Sequence, residues 1–443
     1  MTLSFLIPFF NAIFAVMSSF EKLRLSKQLQ IAVSNAGYFQ PTGLQSTIFS
    51  RINGGQDLVA VSGEGAGKST ALVLAALNKL KQTEEIAPRI LIMVSSQERG
   101  EELIQQFELL NRNKSLRIYG LFNNGPTLDA QVLELTDGVD IVVAMPDRAR
   151  SAYLKLGLNL NKLQLFAVDD ADEIVANGLQ LPVAELGRSV PKAQNLIFSS
   201  VYHGKIARML SYFMEEFDVI EVDNLEQKDV PCVEQILYTV PNFKTKLNLL
   251  NLLLEDREVF DKVLVVVGSK FTAETVYKML NPKEELVDVY TFRCIEFSEN
   301  NIENLADFEQ MPQRRVLIVS EEDLPDLETS NIPFLMFFDI PDHQNNFIQK
   351  VVLKNEKQED QLALCLVTDL ELGTIQKIEQ ELGLRMNRMD LPEDLYVETE
   401  SKKKKVEKEE EDDPTRGGAF HEKKAKNTKT ANIKPSERYK KHK

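Results

Sequence analysis

Residues 58–69 read LVAVSGEGAGKS, and residues 163–172 read LQLFAVDDAD. The first stretch is a short apolar run, a glycine-rich loop and the start of a helix-like segment, Ser69–Leu77. That order turns a common pattern into a phosphate-binding loop spanning Ser62, Gly63, Glu64, Gly65, Ala66, Gly67, Lys68, Ser69 and Thr70. Glycines at 63, 65 and 67 let backbone N–H groups turn inward around phosphate oxygens, and the following helix adds its positive end. Lys68 is expected on the β- and γ-phosphates and the Ser69 hydroxyl on Mg²⁺. In the second stretch, Leu165-Phe-Ala-Val168 reads as a buried parallel strand that ends in Asp169-Asp170. Acids at the carboxyl end of such a strand sit where Mg²⁺ and an attacking water belong. The pair of motifs predicts a nucleotide-binding α/β protein.

Composition narrows the class. A chain of 443 residues, 43% apolar, is long enough for two domains and extras. Its three cysteines, Cys232, Cys294 and Cys365, are widely spaced, and its four histidines, His203, His343, His421 and His442, form no cluster. That spacing argues for a reducing compartment, here taken as the cytoplasm, and against a metal site built from protein ligands alone. Charge is partitioned: residues 401–443 hold 15 basic against 8 acidic side chains, net +7, while the first 400 residues hold 37 against 59, net −22. A basic, apolar-poor tail on an acidic body is expected to be disordered and to serve as an arm for an anionic partner, or simply to solubilise the chain. Residues 3–17, LSFLIPFFNAIFAVM, are strongly apolar but lack the basic start of a signal peptide and are short for a membrane span. Three readings are open: a start at Met17, an added anchor, or an extra packed segment. The first is favoured, and no membrane partner is expected.

Along the chain, strand candidates fall at 58–63, 89–95, 140–145, 163–169 and 195–200, then at 263–268, 286–291, 315–320, 334–340 and 361–368. Five strands with interleaved helices, twice over, predict two α/β domains with parallel sheets in tandem. The expected boundaries are an apolar extension at 1–17, domain one at 18–218, a linker at 219–233, domain two at 234–395 and a tail at 396–443.

These residues resemble the DEAD-box family of ATP-dependent RNA helicases over roughly residues 18–395. The resemblance rests on Phe20, on GYFQPTGLQ at 37–45, on the phosphate loop, on Asp169-Asp-Ala-Asp172 at the D-E-A-D position and on Ser199-Ser200 at that of S-A-T. Met145-Pro146-Asp147-Arg148 looks like the family's T-P-G-R segment, and Leu366-Val-Thr368 with its following helix like the last strand and helix of the second domain. The family implies two RecA-like domains with ATP between them and RNA across both. By that resemblance Gln45 would read the adenine edge, Phe20 would stack on the base, Asp169 would hold Mg²⁺ through water, and Pro146 and Arg148 would touch the RNA backbone. The implied protein is monomeric.

The departures fall on chemistry. Asp170 stands where the family has the glutamate that orients water, and losing one methylene withdraws the carboxylate by ~1.5 Å. Val201 replaces the threonine of S-A-T, and Gln97 an arginine of an RNA-contacting loop. In the second half, Leu353 and Glu356 stand at the two arginines expected to clamp the γ-phosphate, and Pro325 at another. Such an arginine is worth about 10³–10⁵ in rate, so these losses outweigh the shortened carboxylate. Lys350, Lys354, Arg314 or Arg315 are candidate replacements. The expectation is an RNA-remodelling ATPase that uses ATP and Mg²⁺, with reduced hydrolysis and weak, tail-assisted RNA contact. The alternative is an inactive, ATP-switched module that binds RNA or other proteins.

Overall fold

The computed structural model describes residues 20–80, 86–228, 230–280, 288–293, 301–310, 315–353, 358 and 360–398. The expectations for residues 1–17, Cys294, Arg314, Lys354, Glu356 and the basic tail lie outside them.

Two parallel sheets carry the chain. The first holds β1 (Leu58–Val61), β2 (Ile90–Met93), β3 (Ile118–Leu121), β4 (Ile141–Ala144), β5 (Leu165–Val168), β6 (Gln194–Ser199) and β7 (Asp218–Glu221), in the order β3-β4-β2-β5-β6-β1-β7. The second holds β8 (Glu234–Val240), β9 (Val263–Val267), β10 (Val289–Phe292), β11 (Asn301–Ile302), β12 (Val316–Ser320), β13 (Phe334–Phe337), β14 (Leu362–Thr368) and β15 (Asn387–Met389), in the order β11-β10-β12-β9-β13-β14-β8-β15. All ten strands expected from sequence are present. Every strand pair within the two sheets is parallel, and helices cover both faces. The architecture is that of two RecA-like domains in tandem, and both sheets belong to one compact unit ending at Val397.

Expectation and structure differ in strand number, seven and eight rather than five and five. The additional strands lie at or beside sheet edges, where few side chains are buried. β3 buries only Leu121, β7 only Ile220, β11 only Ile302 and β15 nothing, while β8, one strand in from the edge, buries Gln235, Leu237 and Val240 between half-buried and exposed residues. By contrast β1, β2, β4, β5 and β9 are buried along their whole length, which produces the continuous apolar runs visible in the sequence. β7 also carries the first sheet to Glu221, three residues into the stretch expected as linker.

Among the described residues no helix is long and apolar enough to cross a membrane, and no group of three or more His, Cys, Asp or Glu side chains could hold a metal ion.

Candidate phosphate-binding site

The strand order brings the two opening motifs together. β1 pairs with β6, and β6 with β5, so the loop after β1 and the acids after β5 emerge at the same carboxyl edge. A hydrogen bond from Ser62 N–H to the Ser199 carbonyl (3.1 Å) ties the loop to the end of β6. Gly67 closes the loop with φ +82° and caps the helix Lys68–Lys79. A Cβ there would fall 2.6 Å from Gln45 Nε2, so glycine serves both conformation and close approach.

Gln45 is buried against the loop. Its Nε2 donates to the Gly67 carbonyl (3.2 Å), and its Oε1 accepts from Thr42 N–H (3.1 Å) in a capping box that starts the helix Gly43–Asn53. Thr42 Oγ1 donates to the Ala66 carbonyl (2.7 Å). The 42–45 turn thus braces the loop from behind. Phe20 differs from expectation: it is 2% exposed and packs in the core with Leu23, Leu25 and Phe49. A benzyl ring gains more from that apolar surround than from an open cleft, so it offers no exposed face for stacking.

Lys68 is 8% exposed, and its Nζ donates to the carbonyls of Ser62 (2.6 Å) and Gly63 (3.0 Å). Burial pulls its pKa below the usual lysine value, against the raising fields of Asp170, Asp172, Asp169 and Glu64. Ser69 Oγ donates to Asp169 Oδ2 (3.0 Å), while Asp169 Oδ1 is buried with no hydrogen-bond partner. Burial first, and the neighbouring Asp170 carboxylate second, push Asp169 up to about 7. Burial also raises Asp170, which sits at a left-handed φ of +52° as the cap of the helix Ala171–Ala176. Asp172, the last acid of the quartet, accepts from Ser199 Oγ (2.8 Å) and Ser200 N–H (3.1 Å). That contact joins the D-D-A-D and S-S segments into one unit.

Arg99, Lys377, Gln380 and Asn224 at the site escaped sequence reading. Arg99, in the first turn of the helix Gln97–Leu110, donates from Nε to Asp170 Oδ2 (2.8 Å) and from Nη2 to Ser69 Oγ (3.4 Å). Burial disfavours its charge, but Asp170 more than offsets this and raises its pKa. Lys377, on the helix Leu372–Leu382 of the second sheet, lies 3.0 Å from Glu64 Oε1 and 3.3 Å from Glu173 Oε1. One turn on, Gln380 Oε1 accepts from Glu64 N–H (3.0 Å), and a Cβ at Gly63 would fall 1.5 Å from Gln380 Nε2. Gly63 N–H donates to Asn224 Oδ1 (3.1 Å). Between these elements is a cavity of about 510 Å³, lined by residues 63–70, Arg99, Asp170, Glu173, Ser200 and Lys377 among others. The one advance signal was the spacing of Lys377 and Gln380, which puts both on one helix face; nothing in the sequence named the partner of that face.

Other expected residues lie elsewhere. Buried Pro146 and half-buried Arg148 begin the helix Pro146–Leu154 after β4. Arg148 donates to Gln131 Oε1 (2.7 Å) and to the Pro126 carbonyl (3.0 Å). Of the candidate replacement cations, Lys350 is buried and bonded to the Leu327 carbonyl (2.5 Å), holding the loop that contains Pro325. Arg315 pairs with Asp288 (3.1 Å) ahead of β12, at the sheet's opposite edge. Neither reaches the cavity.

Fold and site together define a tandem RecA-like protein with a glycine-rich loop facing an acidic strand end. Residues 42–209 match the DEAD/DEAH box helicase family model. Over 384 residues the chain is 23% identical to the RNA helicase CrhR of Synechocystis sp., covering 86% of this chain and 76% of that one. It is 25% identical over 366 residues to the ATP-dependent RNA helicase RhlB of Hamiltonella defensa, covering 80% and 85%. Among solved structures, a DEAD box protein from Methanococcus jannaschii matches with TM-score 0.46 and 20% identity, covering 84% of this chain and 99% of that one. S. cerevisiae Dbp5 bound to RNA and ADP BeF3 matches with TM-score 0.44 and 17% identity, covering 84% and 95%. Residues 42–209 thus resemble the DEAD/DEAH box helicase family, and the chain as a whole is similar to DEAD-box RNA helicases at 22–25% identity.

Proposed function

We propose that this chain is a monomeric, cytoplasmic, ATP- and RNA-binding protein of the helicase type whose ATP hydrolysis is slow. One observation carries the reading: Ser69 Oγ lies 3.0 Å from Asp169 Oδ2, at the foot of a loop whose Lys68 is buried behind it. A hydroxyl and a carboxylate so arranged, with Asp169 Oδ1 left without a partner, fit Mg²⁺, which binds through one or two carboxylates plus phosphate oxygens and water. When bound, Mg²⁺ neutralises charge on the β- and γ-phosphates. Lys68 leaves its two carbonyl partners to meet those phosphates. Gln45 keeps one N–H and one lone pair for the adenine edge. Asp170 orients water from a carboxylate one methylene short. RNA is held weakly by the Pro146–Arg148 helix start, since Arg148 has donors beyond the two engaged, and by the basic tail. Removing 401–443 should weaken RNA affinity and flatten its salt dependence, because lysine–phosphate contacts release counterions.

A second reading, an ATP-switched module without useful turnover, is favoured by Leu353 at the place of a clamping arginine and by the internal engagement of Lys350. Steady-state ATP turnover with and without RNA separates the two. RNA-stimulated turnover abolished by Lys68→Ala supports the enzyme. No turnover at saturating RNA, with ATP still raising the melting temperature, leaves the module. If ATP raises the melting temperature of neither wild type nor variant, both readings fall.

A further inference from the structure

We propose that Arg99 and Lys377 hold the terminal phosphate of a bound nucleoside triphosphate, Arg99 from the loop's own half and Lys377 from across the cleft. The inference rests on the reading that the loop binds ATP, and it names residues to which that reading gives no part.

Position comes first. The Arg99 guanidinium lies 2.8 Å from Asp170 Oδ2 and 3.4 Å from Ser69 Oγ. With Lys68 at the β- and γ-phosphates, the Ser69 hydroxyl and the Asp170 carboxylate mark the outer end of the phosphate chain. Arg99 is therefore at the third phosphate and not the first. Lys377 reaches the same cavity from the opposite sheet, between Glu64 and Glu173.

Charge comes second. The cavity is lined by Glu64, Asp170 and Glu173, and a triphosphate brings further negative charge into it. Three carboxylates facing that anion would repel it unless nearby cations changed partner. Arg99 and Lys377 can do so, because their side chains are 38% and 27% exposed and keep room to turn. The Arg99 guanidinium now divides its donors between Asp170 through Nε and Glu102 through Nη1 (2.6 Å), and the same planar fork suits two oxygens of a phosphate. By contrast, Lys246 is buried among Phe338, Asp339 and Glu371 in the second half and has no such freedom.

The competing account is that both ion pairs only hold the fold and the two halves together. Phosphate count separates the two. ATP and ADP affinities of the full chain, with Mg²⁺, are measured by calorimetric titration for wild type, Arg99→Ala, Arg99→Lys and Lys377→Ala. The expected result is a loss of about tenfold or more in ATP affinity for each alanine variant, with ADP affinity changed less than about twofold. Arg99→Lys, which keeps the charge and loses the fork, should fall between. Equal losses for ATP and ADP, no loss, or a gain in ATP affinity would overturn the proposal. Thermal melts of each variant confirm that it is folded. If wild type and Lys68→Ala bind neither nucleotide, the loop reading itself fails and takes this inference with it; wild type binding ADP with an unaltered ATP preference in the Arg99 variants sinks the inference alone.

Discussion

Lengthening Asp170 to glutamate pits two effects of known size against each other. The residue occupies φ +52°, ψ +55°, a left-handed conformation that aspartate tolerates better than glutamate because its short side chain can bond locally. Asp170→Glu should therefore cost about 0.5–1 kcal/mol of stability. For domains of this size that lowers the melting temperature by about 1–4 °C. Against this, the added methylene carries the carboxylate about 1.5 Å further over the loop, where misplacement of about 1 Å can cost a hundredfold in rate. RNA-stimulated kcat should rise by as much as about a hundredfold, with KM for ATP little changed, because water orientation acts in the transition state rather than in binding. On the proposed reading the rise should stop there, since a γ-phosphate arginine of the kind the family resemblance expects is worth about 10³–10⁵. A steady-state ATPase titration beside a thermal melt reads both numbers. If the melting temperature falls as expected while kcat stays flat, the length of the carboxylate is not what limits this site, and the argument from its reach is wrong.

Gln380→Ala frees the Glu64 N–H that the Gln380 oxygen now occupies, so affinity for ATP and ADP alike should rise roughly threefold to tenfold, as expected for one exchanged hydrogen bond. Unchanged affinities in both titrations would mean that this contact does not compete with phosphate. His203 is buried beside Asp369 and Asp172, and burial holds its pKa below the usual histidine value. The folded protein thus binds fewer protons there than the unfolded chain does, so this contribution is fully present above about pH 6.5 and is lost as pH falls below it. Asp169, raised to about 7, adds stability as pH falls over the same window, so the His203 loss is read as the difference between wild type and His203→Asn, which keeps a capping acceptor for Lys205 N–H, in denaturant titrations from pH 7.5 to 5; identical profiles for the two proteins assign the effect elsewhere. Finally, Asp140 accepts from Arg89 (2.7 Å) with both side chains buried, and also from Arg117 N–H (2.9 Å). Asp140→Ala leaves a buried guanidinium without its carboxylate and should destabilise the first sheet by about 3–5 kcal/mol in urea; a change under 1 kcal/mol would show that Arg89 finds water instead.

Much of this was legible in the chain. Strands buried on both faces, such as Leu165–Val168 and Val263–Val267, must be apolar at every position, so they stand out as runs. Edge strands such as Asp218–Glu221 and Asn387–Met389 bury little, and nothing in their composition separates them from loops. Gln45 stands out in the sequence only through the resemblance carried by residues 37–45; its capping box and its bond to the loop are visible only in the structure. Phe20 is placed on the base only by the family resemblance, and an aromatic residue in isolation does not declare which way it faces; its burial follows from the surrounding Leu23, Leu25 and Phe49.

The sequence by itself determined the phosphate loop, the acidic strand end that faces it and the parallel α/β frame, because each depends on residues adjacent in the chain. The opposite wall of the cavity was decided only by tertiary structure. Lys377 and Gln380 lie more than 300 residues from Glu64, and which face of their helix meets the loop depends on how the second sheet packs. Arg99 is closer in sequence, yet its meaning depends on Asp170, seventy-one residues away, which only the pairing of β2 with β5 brings alongside. Charges act through distance in space, so the cations of this cleft had no signature until the fold supplied their neighbours.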